Sequence, residues 1–486
     1  MKHKLEQIFK KFNIQHISSD SRDIVLKSAF FAMRGSNFNG NDFLSSVLNE
    51  GASIAFTDDE SKIIEDKIFY LSDIRMALAI AADILYPSES LEMIGVTGTN
   101  GKSSVVSYVH QILSLLGKNS ACMGTLGIEC NIECNIESYN KNNNKTKHGL
   151  TTAGLIEFKK SLHNLAKHNV KYVAFEASSH GLHQKRMGNI KVKSAAFTSF
   201  SRDHLDYHQT MKNYLDAKLD LFLNNLEKDG DAVINIEMQN FEYVQKFLED
   251  NNITHTTVGR NGDIQIISND QNINHQNIVF KFQDKIYEFQ TEIIGSFQAI
   301  NLLIAAKLVY NLAIDFEQIV SVLPKLKSVC GRLQRITDKD EKYHIFVDYA
   351  HTPDALQQSL TELKKLKNST GKLHVIFGCG GDRDKSKRPI MGRIASEIAD
   401  KVIITDDNPR TENADAIRNE IFVGAGVGDL IDDRKKAIID TINILKEHDI
   451  LLIAGKGHED YQIIGTETIK FSDIEIAQYA LNNKII

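Results

Sequence analysis

Short apolar runs that end in Gly, Ser, Thr, Asp or His recur along the chain. MIGVTGTNG (93–101), KYVAFEASSHG (171–181) and SAAFTSFSRDH (194–204) are followed by HIFVDYAH (344–351), LHVIFGCGGDRD (373–384), KVIITDDNPR (401–410) and DILLIAGKGHE (449–459). A continuous apolar run bounded by turn residues predicts a strand buried on both faces, as in a parallel α/β sheet. Polar residues at the carboxyl ends of such strands are where open sheets place ligands. Upstream, residues 29–32 and 52–56 are strand-like, and Leu5, Ile8, Phe9 and Phe12 fall on one face of a first helix. That face predicts packing onto its own domain. The pattern divides into three α/β units: a small cap over 1–88, ending near Tyr86-Pro87-Ser88; a central P-loop-type parallel-sheet domain over 89–328; and a C-terminal Rossmann-like, doubly wound domain over 329–486.

The length suits this division, because 486 residues exceed what one core usually holds. A net charge of −6 gives no general pull toward nucleic acid or anionic lipid, so an anionic substrate needs a local basic pocket. The N-terminus carries Lys2, Lys4, Lys10 and Lys11 but no apolar core of a signal peptide, and no run is long enough to span a membrane. Five cysteines, an odd number, read as reduced thiols rather than a disulfide framework. The expected location is the cytoplasm, with no nucleic-acid partner and no membrane insertion. The stretch 128–147, IECNIECNIESYNKNNNKTK, reads as an exposed insertion; Cys130 and Cys134 lack the further ligands of a metal site.

Gly98-Thr99-Asn100-Gly101-Lys102-Ser103-Ser104 follows a strand and opens a helix. The backbone N–H groups of such a turn cradle phosphates, Lys102 reaches the β/γ-phosphates, and the Ser103 hydroxyl can ligate Mg²⁺. Position 96, where the longer motif has its first glycine, is Val, so this is a shortened variant. Glu176 and His204 end neighbouring strands as further hard-metal candidates. The pairs His180/His183 and His204/His208 lack the third and fourth ligands of a structural zinc site. IFVGAGVGD (421–429) imitates a dinucleotide fingerprint, but Asp429 stands at its third glycine and a turn is expected there.

Together, GTNGKSS, TTAG, EASSHGL, SRDHLDYH, DYAHTPDAL and GKGHE resemble the Mur ligases over nearly the whole chain, in the family's order. The resemblance implies ATP-dependent peptide-bond formation through an acyl phosphate, in peptidoglycan precursor synthesis. It makes Lys102, Lys218 and His204 catalytic, with Ser103, Glu176, His204 and Lys218 toward Mg²⁺ and Lys218 carried as a CO₂-derived carbamate. It assigns ATP to Gly98, Thr99, Asn100, Gly101, Lys102, Ser103, Ser104, Asn301, Arg332 and Asp348. A UDP-N-acetylmuramoyl dipeptide falls to Ser21 of the cap and to Thr151, Thr152, Ser178, Gln184 and Arg186. A monomer is expected.

The segment Asp407-Asn408-Pro409-Arg410 resembles the signature of diaminopimelate-adding members. Diaminopimelate carries a second carboxylate where lysine has none, and a guanidinium fork suits it. Arg383, Gly455 and Glu459 also match positions of that pocket. Two residues depart from the family pattern: Gln298 stands where Asn is usual and Gln334 where Glu is usual. The competing readings are a lysine-adding ligase, which Arg410 disfavours, a folylpolyglutamate synthetase, which needs no cap, and an ATP-driven switch, which leaves Lys218 and the last domain without a role.

Overall fold

The apolar runs form the strands of separate sheets in the computed structural model, which describes residues 1–35, 38–133, 151–338 and 341–483. In the N-terminal unit, four parallel strands lie in chain order: His16–Ser18, Ser28–Phe31, Ala52–Thr57 and Ile68–Tyr70. The first helix, Lys2–Lys11, buries Leu5, Ile8 and Phe9 against this unit as its periodicity predicts. The neighbouring helix Ile74–Leu85 contacts the central helix Leu155–Lys167, where Asp83 pairs with the buried Lys159.

Among the described residues the central sheet has ten strands. From one edge they run Lys285–Thr291, Gln276–Phe282, Ile264–Gln271, His255–Gly259, Leu226–Asn235, Val192–Phe197, Glu92–Thr97, Tyr172–Glu176, Ser120–Gly124 and Gly127–Cys130. The strands from Ile264–Gln271 to Ser120–Gly124 are parallel to one another; the hairpins at both edges are antiparallel. The parallel core is the sheet expected from the buried apolar runs, and the antiparallel edges add to it. There the residues alternate, buried and exposed, because one face meets water. Strand order reverses direction at Glu92–Thr97, which puts its C-terminal turn at the switch point where such sheets bind ligands. The helices Lys102–Leu115 and Ser296–Tyr310 cover one face, buried along nearly their whole length.

The third sheet runs Gln334–Arg335, His344–Asp348, Ile450–Ala454, Leu373–Phe377, Lys401–Ile404 and Asp429–Leu430, parallel except for its first strand. Residues 421–425, expected within a turn, belong to the helix Ala414–Ala425. The turn starts only at Gly426, whose φ of +67° ends the helix. Of the 128–147 insertion, Gly127–Cys130 is the return strand of a hairpin, and residues 134–147, with Cys134, lie outside the described residues. Among the described residues no helix is long and apolar enough to cross a membrane.

Candidate functional site

The turn after Glu92–Thr97 takes its shape from what it packs on. Gly98 has φ +148°, and a Cβ there would overlap the Thr198 hydroxyl, so only glycine fits. Thr99 N–H donates to Ser199 O and Asn100 N–H to Ser199 Oγ, both at 2.8 Å. The turn is thereby tied to the loop after the strand Val192–Phe197. Lys102 folds back, its Nζ donating to Gly98 O and Thr99 O at 2.8 Å. Burial lowers the pKa of its ammonium, and Glu176 opposes that shift. A helix N-terminus, a lysine and the Ser103 hydroxyl converge here, an arrangement that binds phosphate.

Around this turn lies a cavity of about 180 Å³ with walls from two units. The central unit contributes residues 99–104, Thr125, Thr151, Glu176, Asp203, His204, Gln298 and Asn301; the C-terminal unit contributes Arg332, Asp348, Tyr349, His351, His458, Glu459 and Tyr461. Arg332 joins the units: it donates to Ser103 Oγ at 2.9 Å while its guanidinium lies 4.5 Å over the Tyr349 ring. Asp348 ends a strand beside it, and burial pushes its carboxyl up to about 6 against the pull of Arg332 and the Leu333 N–H. Asn301 donates to Gln298 Oε1 at 3.1 Å, which also accepts from Tyr108 OH at 3.2 Å. The amide oxygen of Gln298, the residue expected to depart from the family pattern, therefore serves two donors. Gln334 Oε1 accepts the Gly331 N–H at 2.9 Å, so a neutral amide holds the loop that carries Arg332.

Glu176 is 3% exposed at the end of its strand, accepting from Thr125 N–H at 2.8 Å and Thr125 Oγ1 at 3.2 Å. His204 has φ +54° and pairs with Asp203 at 3.3 Å. Burial pushes its imidazole down to about 4, with Asp203 opposing and Lys218 and Lys102 reinforcing. A neutral imidazole is the form that ligates metal. Among the described residues no three His, Cys, Asp or Glu side chains form a group that could hold a metal ion by themselves. An ion here would therefore draw on Glu176, His204, the Ser103 hydroxyl, phosphate and water, a donor set that suits Mg²⁺. Lys218 stands behind the Gly98 turn rather than on the cavity wall. Its Nζ donates to Gly98 O at 2.8 Å and lies 4.4 Å over the Tyr214 ring. Burial, with Lys102 beside it, holds its pKa well below the ordinary lysine value, which favours the free amine that adds CO₂.

The expected precursor residues of the central unit form one cluster. Thr152 Oγ1 donates to Glu176 O at 2.8 Å and accepts the Ser178 N–H at 3.0 Å. Ser178 caps the short helix Ser179–His183. Arg186 donates to Thr152 O at 2.8 Å and to Gln184 Oε1 at 2.6 and 2.9 Å, and Thr151 accepts from Thr125 at 3.2 Å. Ser21 lies apart, in the turn after His16–Ser18, and does not line the cavity.

The expected amino-acid residues also come together. Arg410 has φ +52° and donates to Gly381 O at 2.8 Å. A Cβ on Gly380 would lie 2.8 Å from Arg410 Nη1 and 3.9 Å from Arg383 Cγ, so both arginines flank one loop. Pro409 packs its carbonyl on Gly381. Asp407 lies against Gly455, and Asn408 donates to Glu459 Oε2 at 3.0 Å. Sequence reasoning assigned no role to Lys456, Tyr349 or Thr125, all of which stand in these networks. The first two lie inside GKGHE and DYAH, where attention to every residue of the motif finds them; Thr125 belongs to no motif.

Three family models match: "Mur ligase family, catalytic domain" over residues 13–89, "Mur ligase middle domain" over 96–309, and "Mur ligase, glutamate ligase domain" over 331–457. The UDP-N-acetylmuramoyl-L-alanyl-D-glutamate–2,6-diaminopimelate ligase of Rickettsia bellii (strain RML369-C) is 49% identical over 475 residues, covering 97% of each chain. Its namesake from Rickettsia conorii (strain ATCC VR-613 / Malish 7) is 47% identical, covering 98% of each. A solved structure of a ligase of the same name superposes with a TM-score of 0.68 at 30% identity, over 96% of this chain and 95% of that one. This chain belongs to the Mur ligase family.

Proposed function

We propose that the chain joins meso-diaminopimelate to the D-glutamate carboxylate of UDP-N-acetylmuramoyl-L-alanyl-D-glutamate at the expense of ATP, in cytoplasmic peptidoglycan precursor synthesis, and acts as a monomer. One observation carries the reading: the phosphate-binding turn and Glu459, which accepts from Asn408, line the same cavity, with Arg332 reaching across it to Ser103. The names of the relatives support it. The thiols of Cys122, Cys130, Cys330 and Cys379 are free, which fits a reducing compartment.

A carboxylate has no leaving group, so the D-glutamate oxygen first attacks the γ-phosphorus. The bond to the β,γ-bridging oxygen breaks, ADP departs, and an acyl phosphate remains. The amine of the incoming amino acid then attacks the acyl carbon, and the tetrahedral intermediate expels phosphate as the nitrogen loses a proton. The protein's contribution is fixed charge and position. Lys102 and Arg332 stand where they neutralise the phosphates, and Gly98 to Ser104 offer backbone N–H groups. Asn301 and Asp348 border the nucleotide. Ser103, Glu176, His204 and a carbamylated Lys218 would hold Mg²⁺, which supplies further charge neutralisation when bound. Thr151, Thr152, Ser178, Gln184 and Arg186 receive the sugar-peptide, and Ser21 of the cap receives its uridine end. Arg383, Asp407, Asn408, Pro409, Arg410, Gly455 and Glu459 receive diaminopimelate.

The test is mass spectrometry of the products from ATP, Mg²⁺, the UDP-muramoyl dipeptide and meso-diaminopimelate. The reading expects a tripeptide product matched one-for-one by ADP. ADP formed equally well without the dipeptide, or no tripeptide at all, contradicts it.

A further inference from the structure

Behind the amino-acid cluster lie cations with fully buried side chains, among them Arg388, paired with Glu412 and Glu420, and Arg434 and Lys456. Arg434 is already neutralised. It donates to both carboxylate oxygens of Asp473 at 2.8 Å, and its remaining contacts are the carbonyls of Ala454 at 2.9 Å and Asp406 at 3.4 Å. It clasps the two strand ends that carry Asp407 and Gly455 to the C-terminal helix Asp473–Asn482. Lys456 is different. Its Nζ donates to Glu459 Oε2 at 3.0 Å and to Asn408 Oδ1 at 3.1 Å, while Asn408 Nδ2 donates to that same Glu459 oxygen at 3.0 Å. Asp407 shares the site: a Cβ on Gly455, the residue before Lys456, would lie 2.8 Å from Asp407 Oδ2.

Asp407 and Glu459 are thus two largely buried carboxylates in one pocket, and like charges so placed do not both stay ionised without a counter-ion. We propose that Lys456 is that counter-ion, a positioning residue that keeps Asp407 and Glu459 ionised together and aims them at the ammonium end of the incoming amino acid. This rests on the amino-acid pocket proposed above and adds the group that makes it work.

The other titratable groups facing the pocket do not substitute for it. Arg434 and Arg410 add smaller pulls on Asp407, but Arg434 is bonded to Asp473 and Arg410 to Gly381 O, and neither donates to Glu459. Burial pushes His458 down to about 3, pushes Tyr461 up to about 12 and raises Tyr349, so all three are uncharged near neutrality. Asp407 is held below the usual carboxylate range despite its burial, with Lys456 the largest opposing influence. Glu459 is raised by burial and by Asp407, with Lys456 pulling the other way.

The experiment measures KM for meso-diaminopimelate between pH 6.5 and 8.5, with KM for ATP alongside. In Lys456→Met the carboxylate pair must share a proton at the lower end of that range. KM for diaminopimelate therefore rises there in proportion to the enzyme left without the ionised pair, about ten-fold once nine-tenths of it is protonated. It recovers toward pH 8.5, while KM for ATP stays unchanged. Lys456→Arg keeps the charge and stays near the parent. A KM that does not vary with pH in Lys456→Met, or an equal loss for ATP, overturns the proposal. Should Lys456→Met not fold, the double variant Lys456→Met/Glu459→Gln decides. It lacks both charges and is expected to fold, with a KM that does not vary with pH; failure of this variant to fold means that Lys456 serves packing alone. Glu459→Gln and Asp407→Asn by themselves test the underlying pocket. If both leave KM for diaminopimelate unchanged, it is the pocket assignment that fails, not the counter-ion argument alone.

Discussion

The guanidinium of Arg332 donates to the hydroxyl of Ser103 at 2.9 Å, so a residue of the C-terminal unit touches the first turn of the phosphate-binding helix of the central one. Its Nε is buried without a partner, and its plane rests on Tyr349. In the proposed reading this cation meets phosphate charge. Arg332→Ala is expected to raise KM for ATP by about 10- to 100-fold, the scale of losing one charged hydrogen bond, with little change in melting temperature. Unaltered ATP kinetics would remove Arg332 from the nucleotide site.

Gly124 and Glu176 make a second close pair. A Cβ at residue 124 would overlap the Glu176 carboxylate, which is held by Thr125 on one side and its own strand on the other. Gly124→Ala is expected to displace that carboxylate and to raise the Mg²⁺ concentration needed for half-maximal activity, while nucleotide-free stability changes little. A magnesium titration of both proteins checks this. An unchanged midpoint would mean that Glu176 does not serve the metal.

Lys218 is 1% exposed, with a carbonyl and an aromatic face against its Nζ and no carboxylate in hydrogen-bond contact among the described residues. Equilibration with ¹³C-bicarbonate is expected to give a carbamate carbon resonance that is absent from Lys218→Gln, together with loss of nearly all activity in that variant. An identical spectrum from both proteins contradicts the carbamate.

Much of this site was legible in the sequence, for a physical reason. Chemistry at strand ends needs particular residue types at particular turns, and GTNGKSS, SRDH, DNPR and GKGHE are such turns. The strands Tyr172–Glu176 and Ile450–Ala454 are buried throughout, and their uninterrupted apolar runs announced it. Contacts between units were not legible. Nothing in the spacing of Ser103 and Arg332 says they touch, since 229 residues separate them. The same holds for Glu362, on a C-terminal helix, whose carboxylate accepts Ser296 N–H at 2.8 Å and so caps a helix of the central unit. The antiparallel edge strands were missed because half-exposed alternation is a weaker signal than a buried run. Lys456 was missed because it stands between two glycines, and its contact with Asn408 comes from a residue 48 positions away.

Glu412 ties the two loops of the amino-acid cluster together. It accepts from Asp382 N–H at 2.6 Å and from Arg388 at 3.0 and 3.1 Å. The hydrogen bonds from Arg388, with Asp382 N–H and Lys385 adding to them, hold its carboxyl down to about 2. A folded-state pKa below the unfolded value contributes stability that is complete above the unfolded value and lost as pH falls toward the folded one. Melting temperature is therefore expected to fall between about pH 4.5 and 2 in the parent. Glu412→Gln is expected to start lower and to lose less over that interval. Parallel pH profiles for the two proteins would show that the pairing contributes nothing to stability.

The most direct measurement is phosphate release with ATP, Mg²⁺ and the UDP-muramoyl dipeptide, comparing meso-diaminopimelate with L-lysine in the parent and in Arg410→Ala. Release by the parent with diaminopimelate and not with lysine, and a KM for diaminopimelate raised about 10- to 100-fold in the variant, is the predicted result. Equal release with lysine, or a variant indistinguishable from the parent, would contradict the account of Arg410 and the choice of substrate built on it.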